Sequence, residues 1–427
     1  MKILITGSGG REHALAWRLS RDIGKENIFI APGNAGTQQC GTNIPCSYND
    51  FEKLKEYIQS LNIDMVIIGP EEPLVNGFAD ELRQDDRFSE LMVIGPSAQG
   101  ARLEGSKDFA KQFMIRHEIP TAAYATFHAG QKEEAQAYIR SHSGPYVMKA
   151  DGLAAGKGVV ITESADEAVD HIASVFDDNI FGEAGKTLVI EQFLDGIEMS
   201  VFALTDGEKY VLLPGAKDYK RIGDGNTGPN TGGMGTVSPV PFATEAFMNK
   251  VVTRIVEPTI SGLQKDRIDY CGFVFFGLMN VKGDPYVIEY NVRMGDPETQ
   301  VVMPRIGGSF ADMLKSAARG TLAEIKPQTL PQTALSIVLA SKGYPGSYEK
   351  GKAIELTSEN DLIFHAGTVQ QGESIVTSGG RVMAVVGIGN SIDEARNKAY
   401  SLAASVHFEG KTHRNDIGLD LKEYETI

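Results

Sequence analysis

Cysteine is nearly missing from this chain: Cys40, Cys46 and Cys271 are the only three in 427 residues. An odd, sparse set without CxxC spacing supports neither a disulfide framework nor a thiolate zinc site, and three small buried or partly buried thiols are the expected reading. A cationic excess is missing too. The 41 Lys and Arg stand against 56 Asp and Glu, a net charge of -15, which argues against a general nucleic-acid or anionic-membrane surface but leaves room for a local basic pocket that holds phosphates. No apolar run reaches membrane-spanning length, and Ile3, Leu4 and Ile5 before Gly7 are too few for a signal-peptide core. The expected setting is the cytoplasm, with no nucleic-acid or membrane partner. A 42% hydrophobic fraction indicates a globular protein, and a chain this long exceeds what one core usually supports, so two to four domains are expected.

Among what is present, the stretch YVIEYNVRMGDPETQ from Tyr286 to Gln300 carries the most chemistry. Strand alternation predicts Val287, Glu289, Asn291 and Arg293 on one face and Tyr286, Ile288 and Tyr290 on the other. A carboxylate, an amide oxygen and a guanidinium at this spacing suit a divalent cation bound to phosphates, with the arginine gripping an anionic partner. A solvated strand face would read the same way in isolation.

The chain opens as a short buried strand, a glycine turn and a helix with Ala14, Leu15, Trp17 and Leu19 on its apolar positions. Strands and helices then alternate, with helices expected over 50–60 and 77–84, which implies a parallel sheet with ligands at its carboxyl edge. GSGG, APGN and GPEEP all fall at such strand ends. The turn from Gly7 to Glu12 invites a dinucleotide reading, but Glu12 takes the last small-residue position and Asn27 to Ala31 offer no acid for a ribose. A milder expectation remains, that free amides at this helix start hold some phosphate.

Ser106 is a natural cap for a helix over 108–117, and Lys107 at its start opposes the helix dipole unless it serves a ligand anion. In PYVMKADGLAAGKGVVI, Lys149 ends a strand, and Gly152, Gly156 and Gly158 surround Lys157. The spacing is not that of a P-loop, since no Ser or Thr follows the lysine and a strand comes next. Two strands joined by a glycine loop predict a hinged flap over phosphates. TLVIEQFLDGIEM follows, with Glu191 closing one strand and Glu198 opening the next, and then a long polar segment from Lys217 to Gly235 that is expected to lie over a site. Beyond 326–331 the chain turns β-rich and then carries a helix over 392–406 with Ala395, Ala399, Leu402, Ala403 and Val406 at helical spacing.

Taken in order, GGREHALAW, APGNAGT, GPEEPLVNG, LEGSK, KADGLAAGKGV, FLDGIE, TGPNTGGMG, EYNVRMGDPETQ, FHAGT and GGRV resemble the ATP-grasp superfamily, and within it the phosphoribosylamine-glycine ligases. The resemblance implies an α/β and α+β multidomain chain: a Rossmann-like domain over 1–103, an ATP-grasp domain over 104–327 with a flap at about 122–192, and an α+β domain over 328–427. It implies a monomer that uses ATP with Mg2+ or Mn2+ to join glycine to 5-phosphoribosylamine through an acyl phosphate. By motif, Arg293, Lys149 and Glu289 would be catalytic, and Glu289 and Asn291 would bind the metal. Lys107, Lys149, Gly152, Gly156, Lys157 and Gly158 would surround the ATP phosphates, Glu191, Phe193 and Leu194 the adenine, and Glu198 the ribose. Arg293 and Asp218 would meet the two ends of glycine, and Gly9, Gly10 and Asn34 the phosphoribosyl group. Another carboxylate-amine ligase, a biotin-dependent carboxylase and a non-catalytic nucleotide-binding subunit are the competing readings. Two positions depart from wider patterns: Gly277 stands twelve residues before Glu289, where many superfamily members carry a second acid, and Tyr219 stands where these ligases usually carry His.

Overall fold

The computed structural model describes residues 1–152, 158–358 and 360–424. Its first layer is a five-stranded parallel sheet built from Ile3–Gly7, Ile28–Pro32, Thr42–Asn43, Met65–Ile68 and Met92–Ile94, with Ile3–Gly7 at the centre. Ile3 pairs with Ile28 on one side and Met65 on the other. All five residues of the central strand are buried, as expected when helices cover both faces of a parallel sheet. Helix Gly10–Ile23 follows it directly, and Glu71–Val75 is a short helix that the alternation did not show. The carboxyl edge thus gathers Gly7–Gly10, Asn34 and Gly69–Glu71 at one end of the domain.

A second, four-stranded antiparallel sheet is ordered Tyr124–His128, Thr187–Gln192, Tyr146–Ala150, Val159–Thr162. Helices Lys132–Ser141 and Ala165–Phe176 cover it and supply a small core of Ala135, Ile139, Ala168, Ile172 and Val175 against Met148, Leu188 and Ile190. This core is separate from the two larger clusters of the chain.

The third layer is a nine-stranded sheet with antiparallel pairings, in which Asp284–Asn291 forms one edge. Gly272–Val281, Ile197–Thr205 and Tyr210–Asp218 follow, and the four-residue strand Gly235–Ser238 then joins Thr333–Ser341, Arg381–Gly389 and Ile363–His365 to the same sheet. The C-terminal β-rich stretch therefore extends the central sheet. Gly235 permits the junction, since a Cβ there would lie 2.7 Å from the Ser336 carbonyl. Helix Ile392–Ala404 packs on Arg381–Gly389 with Ala395, Ala399, Leu402 and Ala403 buried, four of the five positions expected; the fifth, Val406, lies past the helix end in the short strand Val406–His407, where it is buried too. Among the described residues, no helix is long and apolar enough to cross a membrane.

Candidate active site

The edge strand Asp284–Asn291 and its partner Gly272–Val281 form a hairpin whose register steps from Gly277 opposite Glu289 to Leu278 opposite Val287. Ile288 is the extra residue of a β-bulge, and it corrects the simple alternation. Val287, Tyr290 and Val292 all enter the core, while Glu289 and Asn291 face the cleft. Val287 thus sits with Tyr290 and not with Glu289. Arg293 lies beyond the end of the strand.

The bulge also frees a carbonyl, since Ile288 O accepts from Lys149 Nζ at 3.2 Å. Lys149 comes from the flap sheet, is buried, and also meets Glu191 Oε1 at 2.9 Å. Lys107 reaches the same region from the start of helix Lys107–Arg116 and donates to Gly152 O at 2.8 Å. Its helix is capped as expected, with Ser106 Oγ accepting from the Phe109 amide at 3.1 Å. Asp151 adds a second cap from the flap, bonded to Ser106 Oγ at 3.0 Å and to the Asp108 amide at 3.1 Å. Gly152 and Gly158 border this loop; Gly156 and Lys157 lie outside the described residues.

Charge converges on Glu289. Burial opposes its ionisation, but Lys220, Lys149, Lys107 and Arg293 outweigh that and hold its carboxyl below the usual range. Lys220 bridges two acids, 2.8 Å from Glu198 Oε2 and 3.9 Å from Glu289 Oε1. Arg293 is held by Glu104 at 2.6 Å and Glu71 at 3.3 Å. Burial raises the Asp218 carboxyl, as does the charge of Glu198. Glu298, 4% exposed and bonded to Ser200 Oγ at 3.1 Å, is pushed up to about 7 by burial and by Asp218. Four cations and a wall of acids therefore share one cleft.

The acids Glu71, Glu104 and Glu298 and the cation Lys220 had no assigned part in the sequence reading, although all four fall inside quoted motifs or the polar segment. Arg293 meets Glu71 across 222 positions, and no local pattern signals such a pairing. Glu191 presents its carboxylate to Lys111 and Lys149, so only its main chain remains for adenine, next to Phe193 and Leu194. Tyr219 is buried on another side, where its hydroxyl bonds Asp420 and accepts from the Gly418 amide, with Lys217 Nζ 3.6 Å from the ring centre. The residue that replaces the usual His thus braces the C-terminal segment.

At the first glycine turn two amides are taken by carboxylates. Gly9 N donates to Glu12 Oε2 at 2.6 Å and Arg11 N to Asp296 Oδ2 at 3.2 Å. Gln300 bonds the other oxygen of Asp296 at 3.0 Å, and its amide nitrogen lies 2.3 Å from where a Gly10 Cβ would be. Asn34 uses both ends of its side chain: Oδ1 accepts from Gly36 and Thr37, and Nδ2 donates to the carbonyls of Ser8 and His365. Two of the amides at this helix start, those of Gly9 and Arg11, are therefore engaged by carboxylates and not open to a phosphate.

Three families described together as phosphoribosylglycinamide synthetase match in order: the N domain over residues 1–104, the ATP-grasp (A) domain over 105–299 and the C domain over 334–420. A curated phosphoribosylamine–glycine ligase of Vibrio parahaemolyticus is 44% identical over 425 residues, covering 98% of each chain. The chain belongs to the phosphoribosylamine–glycine ligase family. Ligases of Chlorobaculum tepidum and Agrobacterium fabrum match at 44% and 45% identity, each over 98% of this chain. The crystal structure of the Thermotoga maritima ligase superposes with a TM-score of 0.84 at 40% identity, over 98% of this chain and 100% of that one. A biotin carboxylase of Campylobacter jejuni superposes with a TM-score of 0.68 at 16% identity, a likeness of fold alone. Lys107, Lys149 and Glu289 meet where the flap sheet approaches the edge strand.

Proposed function

We propose that this chain ligates glycine to 5-phosphoribosylamine, with ATP converted to ADP and phosphate and glycinamide ribonucleotide as the product. The observation that carries the reading is the end-to-end match, at 44% identity over 98% of both chains, to ligases of that name. A carboxylate is a poor electrophile, so a glycine oxygen first attacks the terminal phosphorus and the bond to ADP breaks. The amine nitrogen then attacks the carbonyl carbon of glycyl phosphate, phosphate leaves, and the nitrogen gives up a proton. Neither step needs a covalent link to the protein, so positioning and charge neutralisation carry the catalysis.

Lys107 and Lys149 are proposed to hold the phosphates under the loop that Gly152 and Gly158 border, with Gly156 and Lys157 within it. The main chain of Glu191, with Phe193 and Leu194, would meet the adenine, and Glu198 the ribose. Arg293 and Asp218 would take the carboxylate and ammonium of glycine. Gly9, Gly10 and Asn34 would shape the wall for the phosphoribosyl group, whose neighbouring Glu12, Asp296 and Glu71 favour its amine and hydroxyls over its phosphate.

A hard divalent cation, Mg2+ or Mn2+, fits the donors present. Glu289 is half-exposed to the cleft, Asn291 adds an amide oxygen, and the position directly opposite Glu289 is Gly277, without a second acid. Among the described residues, no three His, Cys, Asp or Glu side chains gather to hold a metal alone. Glu289 and Asn291 would hold the ion with nucleotide phosphates and water completing its oxygen shell. Bound there, it would neutralise phosphate charge against the incoming carboxylate. The proposed state is a cytoplasmic monomer.

An ADP-release assay tests the reading. Turnover should require glycine and phosphoribosylamine together. Release with bicarbonate and biotin instead would move the chain to the carboxylases, and nucleotide binding without substrate-stimulated turnover would make it a non-catalytic subunit.

A further inference from the structure

Lys111 sits on helix Lys107–Arg116, one turn beyond Lys107, and is 1% exposed. Its Nζ meets Glu191 Oε2 at 3.0 Å, donates to Thr121 Oγ1 at 2.8 Å and reaches Ala122 O at 3.4 Å. The other oxygen of Glu191 meets Lys149 Nζ at 2.9 Å. One carboxylate, itself 6% exposed, thus lies between two ammoniums from different elements. A buried carboxylate paired with Lys149 alone would tether that lysine and also cancel its charge. A second buried cation changes the balance.

We propose that Lys111 is a positioning residue for the ATP half of the reaction: by engaging one oxygen of Glu191 it lets that carboxylate fix Lys149 in place while the three groups keep one net positive charge for a nucleotide phosphate. The inference rests on the reading of Lys149 as a phosphate ligand. It explains why a lysine is buried on the inner face of a helix whose exposed end already supplies Lys107. Burial pulls the Lys111 ammonium down to about 8, with Glu191 holding it up, as expected for a cation kept in place by its carboxylate. Lys149 gains a second anchor in Ile288 O, so its ammonium is fixed between the flap sheet and the metal strand.

The test compares Lys111→Met, Glu191→Gln and their double variant with the full-length enzyme, using calorimetry with ADP and steady-state kinetics. Lys111→Met should weaken ADP binding by about tenfold or more and raise KM for ATP, while KM for glycine stays within about twofold. Adding Glu191→Gln should recover most of that loss, because an uncharged amide no longer draws on Lys149. A Lys111→Met enzyme that binds ADP as the wild type does, or a double variant that binds no tighter than the single, would overturn the proposal. Should Lys111→Met fail to fold, the double variant carries the test: ADP affinity within about fivefold of wild type supports the charge balance, and lost affinity overturns it. Lys149→Met separates the two levels. If it leaves ADP affinity intact, the phosphate assignment and this inference fall together; if it weakens binding while Lys111→Met does not, only this inference falls.

Discussion

The turn after Ile3–Gly7 and the turn after Tyr146–Ala150 both leave a buried strand through glycine, and both lead towards the cleft, yet their surroundings carry opposite charge. At the first, Glu12 and Asp296 accept from the Gly9 and Arg11 amides. At the second, Lys107 donates to Gly152 O, and Lys149 lies at the end of the incoming strand. Glycine in either place says only that something comes close to the main chain. What comes close is decided by side chains from elsewhere: Asp296 arrives from 285 positions away, and Lys107 from 45. Carboxylates, with Arg11 and Arg381 beside them, therefore hold the first turn, and ammoniums approach the second.

The largest expected effect breaks the phosphate side of this contrast. Glu289→Gln keeps the size of the side chain and removes the charge on which Lys220, Lys149, Lys107 and Arg293 converge. ADP formation should fall by about 10²-fold or more, while the thermal midpoint moves by no more than a few degrees. Near-normal turnover would show that phosphoryl transfer does not depend on this strand.

A smaller effect sharpens the acidic side. Burial raises the Asp296 carboxyl, but Arg381, Arg11, Gln300 and the Arg11 amide more than offset that and hold it below the usual range. Asp296→Asn should cost about 2 kcal/mol in urea unfolding, the scale of a lost charge-assisted bond in a buried network. The vacated helix start should then accept an anion, so that sulfate raises the midpoint of the variant more than that of the wild type. Equal sulfate responses would mean that the turn is closed to anions by shape, and the comparison would lose its electrostatic basis.

How much of this could be read beforehand follows the range of the interactions. The Ser106 cap and the buried positions of helix Ile392–Ala404 are local patterns, and each stands where the spacing put it. Glu289 and Asn291 were legible as a pair facing the cleft. The bulge at Ile288 was not, because an extra residue shows only against a partner strand, here at Gly277 and Leu278. The continuation of the central sheet into Thr333–Ser341 depends on a strand of four residues, Gly235–Ser238, too short to stand out from the polar segment before it. Glu104 and Glu71 carried no assigned role until Arg293 came to meet them, and nothing local to Tyr219 signalled that its hydroxyl would bond Asp420.

The smallest expected effect uses acid to separate the two turns. His13, on the helix that follows the first turn, accepts from the His365 amide through Nδ1 at 2.8 Å. Burial lowers both imidazoles, His13 to about 3 with the help of His365, and His365 to about 4. Below about 6.5 the unfolded chain takes up protons that the folded chain refuses, so their contribution is full above that pH and is lost as pH falls towards 4. At pH 6 the two together should cost about 1.5 kcal/mol relative to pH 7.5. A global melt would blur this, because Glu298, raised to about 7, acts in the opposite sense: its burial penalty fades as pH falls from 7 towards 4.5. Local amide exchange, corrected for intrinsic rates, keeps the two apart. Helix Gly10–Ile23 should lose protection between pH 7.5 and 6 while strand Tyr146–Ala150, where no histidine borders the lysines, holds its own. Uniform loss across both would place the acid sensitivity in the whole fold and remove the distinction between the two turns.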